Sequence, residues 1–324
     1  MPVVRGSPAG VLTGYLAAGL TVLIWASYPV ATRAAVTAAF APEDLVMLRF
    51  GIGALLFLPF VLLRLRDIPA RTWREGIALT LFHGVGMAAL VIFGLQYAPA
   101  SHAAALGPGV ACAWVAVLGY LFFSHRPSSA AMAGAALIAA GVLALTVHSA
   151  PQASASVLLG DAMFLAASAL GALYVLRLRA SGTTAFDGAA IVSIYSALIV
   201  LPWYFATVDA PFAHVPARDL VFQVLWQGVL IGFVAMLAFN HGIRRLGSER
   251  ASALIALVPA LSTALGAGLL AELPTAAEIA GIAMIALGVA IAAGGRRVMP
   301  AQAGSPAASS ASANRAACAL SRPG

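Results

Sequence analysis

The chain has 324 residues, of which 62% are hydrophobic and only 9% charged, where soluble domains carry about a quarter charged residues. With a mean hydropathy of +0.97, it holds more apolar surface than one water-soluble core of this length can hide, which excludes a soluble globular protein and makes lipid its solvent. The net charge of +7 comes from 18 basic residues, all of them arginine; they sit almost wholly between apolar runs, as membrane loops require, and so do not indicate a nucleic-acid partner.

A helix crosses the hydrocarbon core with about 20 residues. Residues 1–10 read as a short cytoplasmic N-terminus with Arg5, and the apolar run that follows, 11–32, is longer than the roughly 7 to 15 residues of a signal-peptide core, so it is expected to be an uncleaved span. Further runs bounded by charges, Pro or Gly fall at 44–63, 76–95, 101–123, 130–148, 156–176, 186–206, 219–240, 250–271 and 275–295, which predicts an all-α membrane protein of ten transmembrane helices. The remainder, 296–324, is rich in Ala, Ser and Pro and is predicted to be a disordered cytoplasmic tail. Cys112 lies in an apolar run and Cys318 in that tail, so there is neither a disulfide framework nor a metal spacing.

Arginine placement orients the bundle. With the N-terminus in the cytoplasm, the inner segments hold Arg5, Arg64, Arg66, Arg71, Arg74, Arg126, Arg177, Arg179, Arg244, Arg245, Arg250, Arg296, Arg297, Arg315 and Arg322, and the outer segments only Arg33 and Arg218. The positive-inside rule then predicts both termini in the cytoplasm. Arg49 is the one arginine left inside a span.

The sequence repeats itself. "AGAALIAAGV" at 133–142 returns as "AGIAMIALGV" at 280–289, "ALLFLPF" at 54–60 as "ALIVLPW" at 197–203, Tyr28 with Arg33 as Tyr174 with Arg179, and Ala103 with Ala105 and Leu106 as Ala251 with Ala253 and Leu254. Four segments in one order at offsets of 143 to 148 mark a duplication. Each copy, 11–148 and 149–295, holds five predicted spans, an odd number, so the second copy enters the membrane from the opposite side. Inverted repeats of this kind are the architecture of many secondary transporters. Gly134 with Gly141, and Gly281 with Gly288, stand seven apart and share a helix face; small residues there let a second helix approach, either inside the bundle or at a dimer interface, and packing inside the bundle is the preferred reading.

Ionisable groups near the bilayer centre are functional candidates by default. His83 lies nine positions past Arg74, at a depth of roughly 13 Å, whereas Arg49, Asp161, Glu272 and Glu278 fall nearer the outer ends of their spans and His102, His148 and His241 at span ends. In the symmetry-related eighth span Gln223, Trp226 and Gln227 share a face, with Gln227 about 12 Å deep. These four, with Tyr28, Trp25, Tyr174 and Trp114, are the candidate substrate-binding residues, while packing or lipid contact is the competing reading for each. Trp73, Tyr97, Tyr120, Trp203 and Tyr204 near span ends read as interfacial anchors. Pro29, Pro108 and Pro259 interrupt apolar helices and are the candidate kink or gating positions, with a fixed packing kink as the alternative.

The stretches "IWASYPVATR", "LRFGIGALLFLPF", "GLQYAPASHAAAL", "GDAMFLAASALGALYVLRLR" and "SERASALIALVPALSTALGAGLLAELPTAAEIAGIAMIALGV" resemble the EamA branch of the drug/metabolite transporter superfamily over roughly residues 11 to 295. The overall look is similar to its YddG-type amino-acid exporters. The resemblance implies ten helices in two inverted five-helix halves. The chain departs from the family pattern at Ser124-His125-Arg126, where a Glu equivalent to Glu272 is common, and at Pro108-Gly109, three positions out of register with Pro259.

No midplane carboxylate is predicted to hold a cationic drug, and no arginine or lysine cluster to hold phosphates. An intramembrane enzyme would need a nucleophile with its base, or a metal triad, at one depth, and none is seen; no cofactor is expected. A mainly apolar cavity with His and Gln fits a small neutral or zwitterionic metabolite. The expectation is a monomeric transporter in a bacterial inner membrane, in contact with lipid and a small-molecule substrate, exporting amino acids, neutral or aromatic. The alternative is an exporter of lipophilic drugs, cations or lipids on the same fold. Facilitated transport is the preferred reading; His83, with an ordinary pKa near 6.5, is the group through which it would instead be proton-coupled.

Overall fold

In lipid a backbone has no water to bond with, and a single uncharged run can satisfy its own N–H and C=O groups only as a helix. The structure, a computed structural model, describes residues 8–123, 127–149, 155–209, 212, 214–246, 254 and 257–294. Every regular element among them is helical. We label them α1 (Pro8–Ala38), α2 (Pro42–Leu63), α3 (Ala70–His83), α4 (Val85–Tyr97), α5 (Ala100–Ala104), α6 (Val110–Phe123), α7 (Ser129–Ser149), α8 (Ala155–Ser181), α9 (Ala185–Thr207), α10 (Ala217–Gln223), α11 (Ala235–Leu246), α12 (Val258–Leu270) and α13 (Ala276–Gly294). A π-helical turn, Ala105–Gly109, joins α5 to α6, and a longer π-helical stretch, Val224–Val234, joins α10 to α11.

Eight continuous segments are long and apolar enough to cross a membrane, beginning with Gly10–Ala38 and ending with Ala217–Leu246. Two shorter apolar helices, Val258–Leu270 and Ala276–Ala292, stand where the ninth and tenth spans are expected. Part of the expected ninth span, like the predicted tail 296–324, lies outside the described residues. Leu16, Leu23, Leu63, Leu81, Phe122, Leu198 and Leu269 are exposed, as a lipid-facing surface requires.

The contacts between helices obey the repeat. Helix α2 packs on α9 and α7 on α13, pairing each element with its own copy; α1 packs on α11, and α4 on α8, which is the same contact with the halves exchanged. That invariance is what a twofold relation between the halves demands.

The segment that exposed the duplication also joins its two copies. A Cβ on Gly141 would fall 2.8 Å from the Gly281 carbonyl oxygen, one on Gly281 2.9 Å from that of Gly141, and one on Gly288 2.7 Å from that of Gly134. Ile138 and Ile285, wholly buried, fill the space between the glycines. Without a hydrophobic driving force between helices in lipid, close backbone approach of this kind supplies the association. The glycine face is therefore used inside the chain, between its halves.

Two sequence expectations change here. Tyr204 is not an interfacial anchor: it is fully buried and its hydroxyl donates to Asp44 across α9 and α2. Pro259 does not interrupt a described helix but occupies the first turn of α12, where its missing N–H costs nothing. Replacing Gly141 or Gly281 by Leu is expected to destabilise the bundle by about 1–3 kcal/mol through overpacking, read as a lowered Tm in detergent, while Gly19→Leu, with open space around that glycine, leaves Tm unchanged.

Candidate functional site

Two spans that are mates in the repeat are both irregular halfway along. The span Ala70–Tyr97 breaks at Gly84, whose φ of −84° and ψ of −137° belong to neither α3 nor α4. A Cβ there would collide with the Thr80 carbonyl and lie 2.6 Å from Ser196 Oγ, so only glycine lets α9 approach the break. Its mate, Ala217–Leu246, loosens into a π-helix over Val224–Val234. Irregular backbone at membrane depth is tolerated where protein or a cavity meets the freed groups, and paired interruptions in the two halves mark binding sites.

Polar side chains gather at both irregularities. At the Gly84 break, Thr80 Oγ1, His83 Nδ1 and Ser196 Oγ are buried without a hydrogen-bond partner. The His83 ring stacks on Tyr174 of α8, with centroids 4.4 Å apart and planes 21° apart. At the π-stretch, Gln227 is fully buried; its Nε2 donates to Thr32 Oγ1 of α1 at 2.8 Å and to Gln223 Oε1 at 3.4 Å, while its Oε1 finds no partner. Gln223 Nε2 in turn donates to the Ala31 carbonyl at 3.2 Å.

Between the two irregular spans lies Arg49 on α2. Its guanidinium sits 5.1 Å from the centroid of the Tyr28 ring, within cation–π range, and near enough to His83 for a direct electrostatic interaction. Its carbonyl and that of Gln227 meet at Gly232, where a Cβ would lie 3.3 Å from one and 3.2 Å from the other. Every carboxylate that forms an ion pair among the described residues does so with Arg33, Arg64, Arg177 or His102, and none with Arg49.

Of the residues expected from sequence, Tyr28 and His83 thus lie beside Arg49, with Tyr174 stacked on His83, while the side chains of Gln223 and Gln227 bond to α1. Trp226 is a neighbour on the π-stretch, stacked on Phe222 at 5.1 Å with its Nε1 buried and unpartnered. Trp25 packs instead against Phe239 and the Val22, Ala26, Val258 cluster, and Trp114 against the cluster around Ile138 and Ile285, away from this group. Pro29 lies within an unbroken α1, and Pro108 within the π-helical turn of the fourth span. Arg49 is the residue that depth reasoning passed over. Counting from the helix start placed it near the outer end, but the count ignores which way a side chain points; its status as the lone arginine inside a span was the available signal.

Access is unequal at the two ends. A cavity of about 890 Å³ is lined by Ala17, Arg64, Thr184, Phe186, Asn240 and Arg244, among others, at the arginine-rich end. Phe57, Phe60, Phe186 and Phe233 pack edge-on and tilted with centroids 4.9–6.0 Å apart; Phe57 lies two turns along α2 from Arg49 and is wholly buried. The ion pairs at this end, Arg64–Asp187 and Arg177–Glu75, leave both arginines 44% to 47% exposed. At the other end Arg33 is paired with Glu272 at 2.9 Å and donates to the Leu95 carbonyl, and Glu272 accepts from the Ala100 N–H at 3.0 Å, with both side chains about four-fifths buried.

A helical bundle in two like halves, with polar irregular mates midway along their spans, is an arrangement that membrane transporters use. The chain belongs to the EamA-like transporter family, which matches it twice, at residues 12–147 and 158–294. This places it among membrane transporters of the drug/metabolite type and establishes the two-repeat organisation. A solved structure described only as "Crystal structure of protein" is 21% identical with a TM-score of 0.58, over 90% of this chain and 100% of its own, a likeness of fold. No curated protein matches the chain significantly.

Because Gln227 Oε1 is already unpaired and interhelical hydrogen bonds in membranes average about 0.6 kcal/mol, Gln227→Leu is expected to change stability by about 1 kcal/mol or less, measured as Tm in detergent. A large loss would make Gln227 a structural tie instead.

Proposed function

We propose that the protein exports amino acids, neutral or aromatic, across a bacterial inner membrane by alternating access, as the likeness to YddG-type exporters implies. The observation that carries this reading is Arg49, a guanidinium held inside the bundle with no carboxylate partner among the described residues. An uncompensated charge at membrane depth is costly, and a solute carboxylate removes that cost through two parallel hydrogen bonds. A lipophilic cation would be repelled from the same place, which disfavours the drug-cation alternative. The ammonium group of an amino acid needs acceptors, and Gln227 Oε1 is a buried one without a donor. The stacked His83 and Tyr174 rings, with Trp226 nearby, offer an aromatic wall for an apolar side chain.

Export is the direction supported by access: the cavity lies at the end that the positive-inside rule places in the cytoplasm. Efflux of a labelled amino-acid mixture from proteoliposomes is the test. Wild type should release a subset of neutral or aromatic amino acids. Arg49→Gln should slow that release by about tenfold or more, as loss of a charged hydrogen-bond pair of about 1.5–3 kcal/mol requires, while His83→Ala and Trp226→Ala alter the preference among side chains. Wild-type protein that is folded yet passes no amino acid would overturn the reading and favour lipids or lipophilic solutes.

A further inference from the structure

We infer that His102, Asp161 and Glu278 form a proton-binding site that latches the closed outer end of the transporter. This goes beyond the substrate reading and does not depend on it. His102, on α5 in the first half, is fully buried; its Nδ1 lies 2.8 Å from Asp161 Oδ1 on α8, and its Nε2 3.2 Å from Glu278 Oε1 in the first turn of α13, both in the second half. The ring nitrogens point in opposite directions, so the two carboxylates cannot converge on one metal ion, and no metal-ligating trio occurs among the described residues.

Hydrogen-bond accounting fixes a minimum number of protons. Ionised carboxylates only accept, and a neutral imidazole has one N–H. With a carboxylate oxygen at each ring nitrogen, one contact would set two acceptors against each other unless the trio carries an extra proton, either as imidazolium or on a carboxyl. The trio then still bears a net charge of −1 in a buried place. There is room for one proton more: Asp161 is 2% exposed and its Oδ2 has no partner. Glu278, 16% exposed at its side chain, connects the trio to the outer surface, and its Oε2 accepts from the Thr275 N–H at 2.6 Å.

The surrounding charges do not supply that neutralisation. From α1, Arg33 faces the α5 N-terminus but is paired with Glu272, which precedes α13, and the two cancel; α4 presents only Tyr97, at the surface. Opening the outer end must separate α5 from α8 and from α13, breaking both contacts. The closed trio needs that extra proton, whereas its groups once parted in water hold it only below the ordinary histidine pKa of about 6.5, so the closed form binds the proton more tightly and by linkage its loss favours the open form. Proton coupling is thereby assigned to the His102 trio at the outer end rather than to His83 in the middle.

Hydrogen–deuterium exchange of the full chain in nanodiscs tests this without a substrate. Rates at about pH 5 and about pH 7.5, corrected for intrinsic amide chemistry, are compared in peptides covering residues 98–105 and 157–165, with 129–145, which holds no titratable side chain, as reference. One linked proton changes the open population by up to about tenfold per pH unit, so the wild-type outer peptides should exchange several-fold more slowly in acid while the reference stays constant. Asp161→Asn, which mimics the protonated carboxyl at nearly equal volume, should exchange at the acid-like rate at both pH values, and the double variant Asp161→Asn/Glu278→Gln should lose the response. Corrected exchange that is independent of pH in wild type, or a response of wild-type size in the folded double variant, would overturn the proposal.

Discussion

Everything in this fold follows from the cost of leaving a polar group unmatched in lipid. Backbone groups are met inside each helix, so the chain is helical; side-chain charges must be met by another helix or by solvent. The charged groups at the ends of the bundle largely obey this. Asp44 is met by Tyr204, Glu272 by Arg33 and the Ala100 N–H, and Asp161 and Glu278 by His102. The middle does not obey it: His83 Nδ1, Ser196 Oγ and Gln227 Oε1 stand without partners, and Arg49 has no carboxylate among the described residues. Unsatisfied polar groups between two irregular helices are what the proposed binding of a polar solute would use.

The duplication supplies the means for access to alternate. The contact of α7 with α13 lies on the pseudo-twofold relation and is built for permanence, with glycine backbones in close approach and Ile138 and Ile285 between them. The ion pairs between spans sit at the ends, where water reaches them when they part. The closed end is joined by ion pairs that are largely buried, and the end with the cavity by pairs whose arginines are nearly half exposed. Exchanging the roles of the two ends requires those ionic links to be remade.

Much of the architecture was legible in the sequence, because hydropathy, arginine placement and the repeat all report on the same constraint. That His83 and Gln227 stand well inside their spans was legible too, since a helix advances a fixed 1.5 Å per residue. Direction was not. Depth alone could not reveal that Arg49 turns inward onto Tyr28, that Trp114 packs among the residues around Ile138, or that Trp25 faces Phe239. Nor could it reveal that His102, at the start of its span, meets carboxylates from two other spans distant in sequence. Those facts depend on tertiary neighbours, and hydrophobic periodicity is weak where every face of a helix is apolar. The loss of helical regularity over Val224–Val234 likewise carries no proline to announce it, and its Gly228 and Gly232 look like the small residues of ordinary helix packing.

The central claim is that the unpaired guanidinium of Arg49 receives a carboxylate. Equilibrium binding of labelled phenylalanine and leucine to the purified protein, competed by the matching amino-acid amides, tests it most directly. The account predicts that the free amino acids compete and the amides, which lack the carboxylate charge, do not, and that Arg49→Gln abolishes the distinction. Amides that compete as well as the acids in the wild type would contradict it.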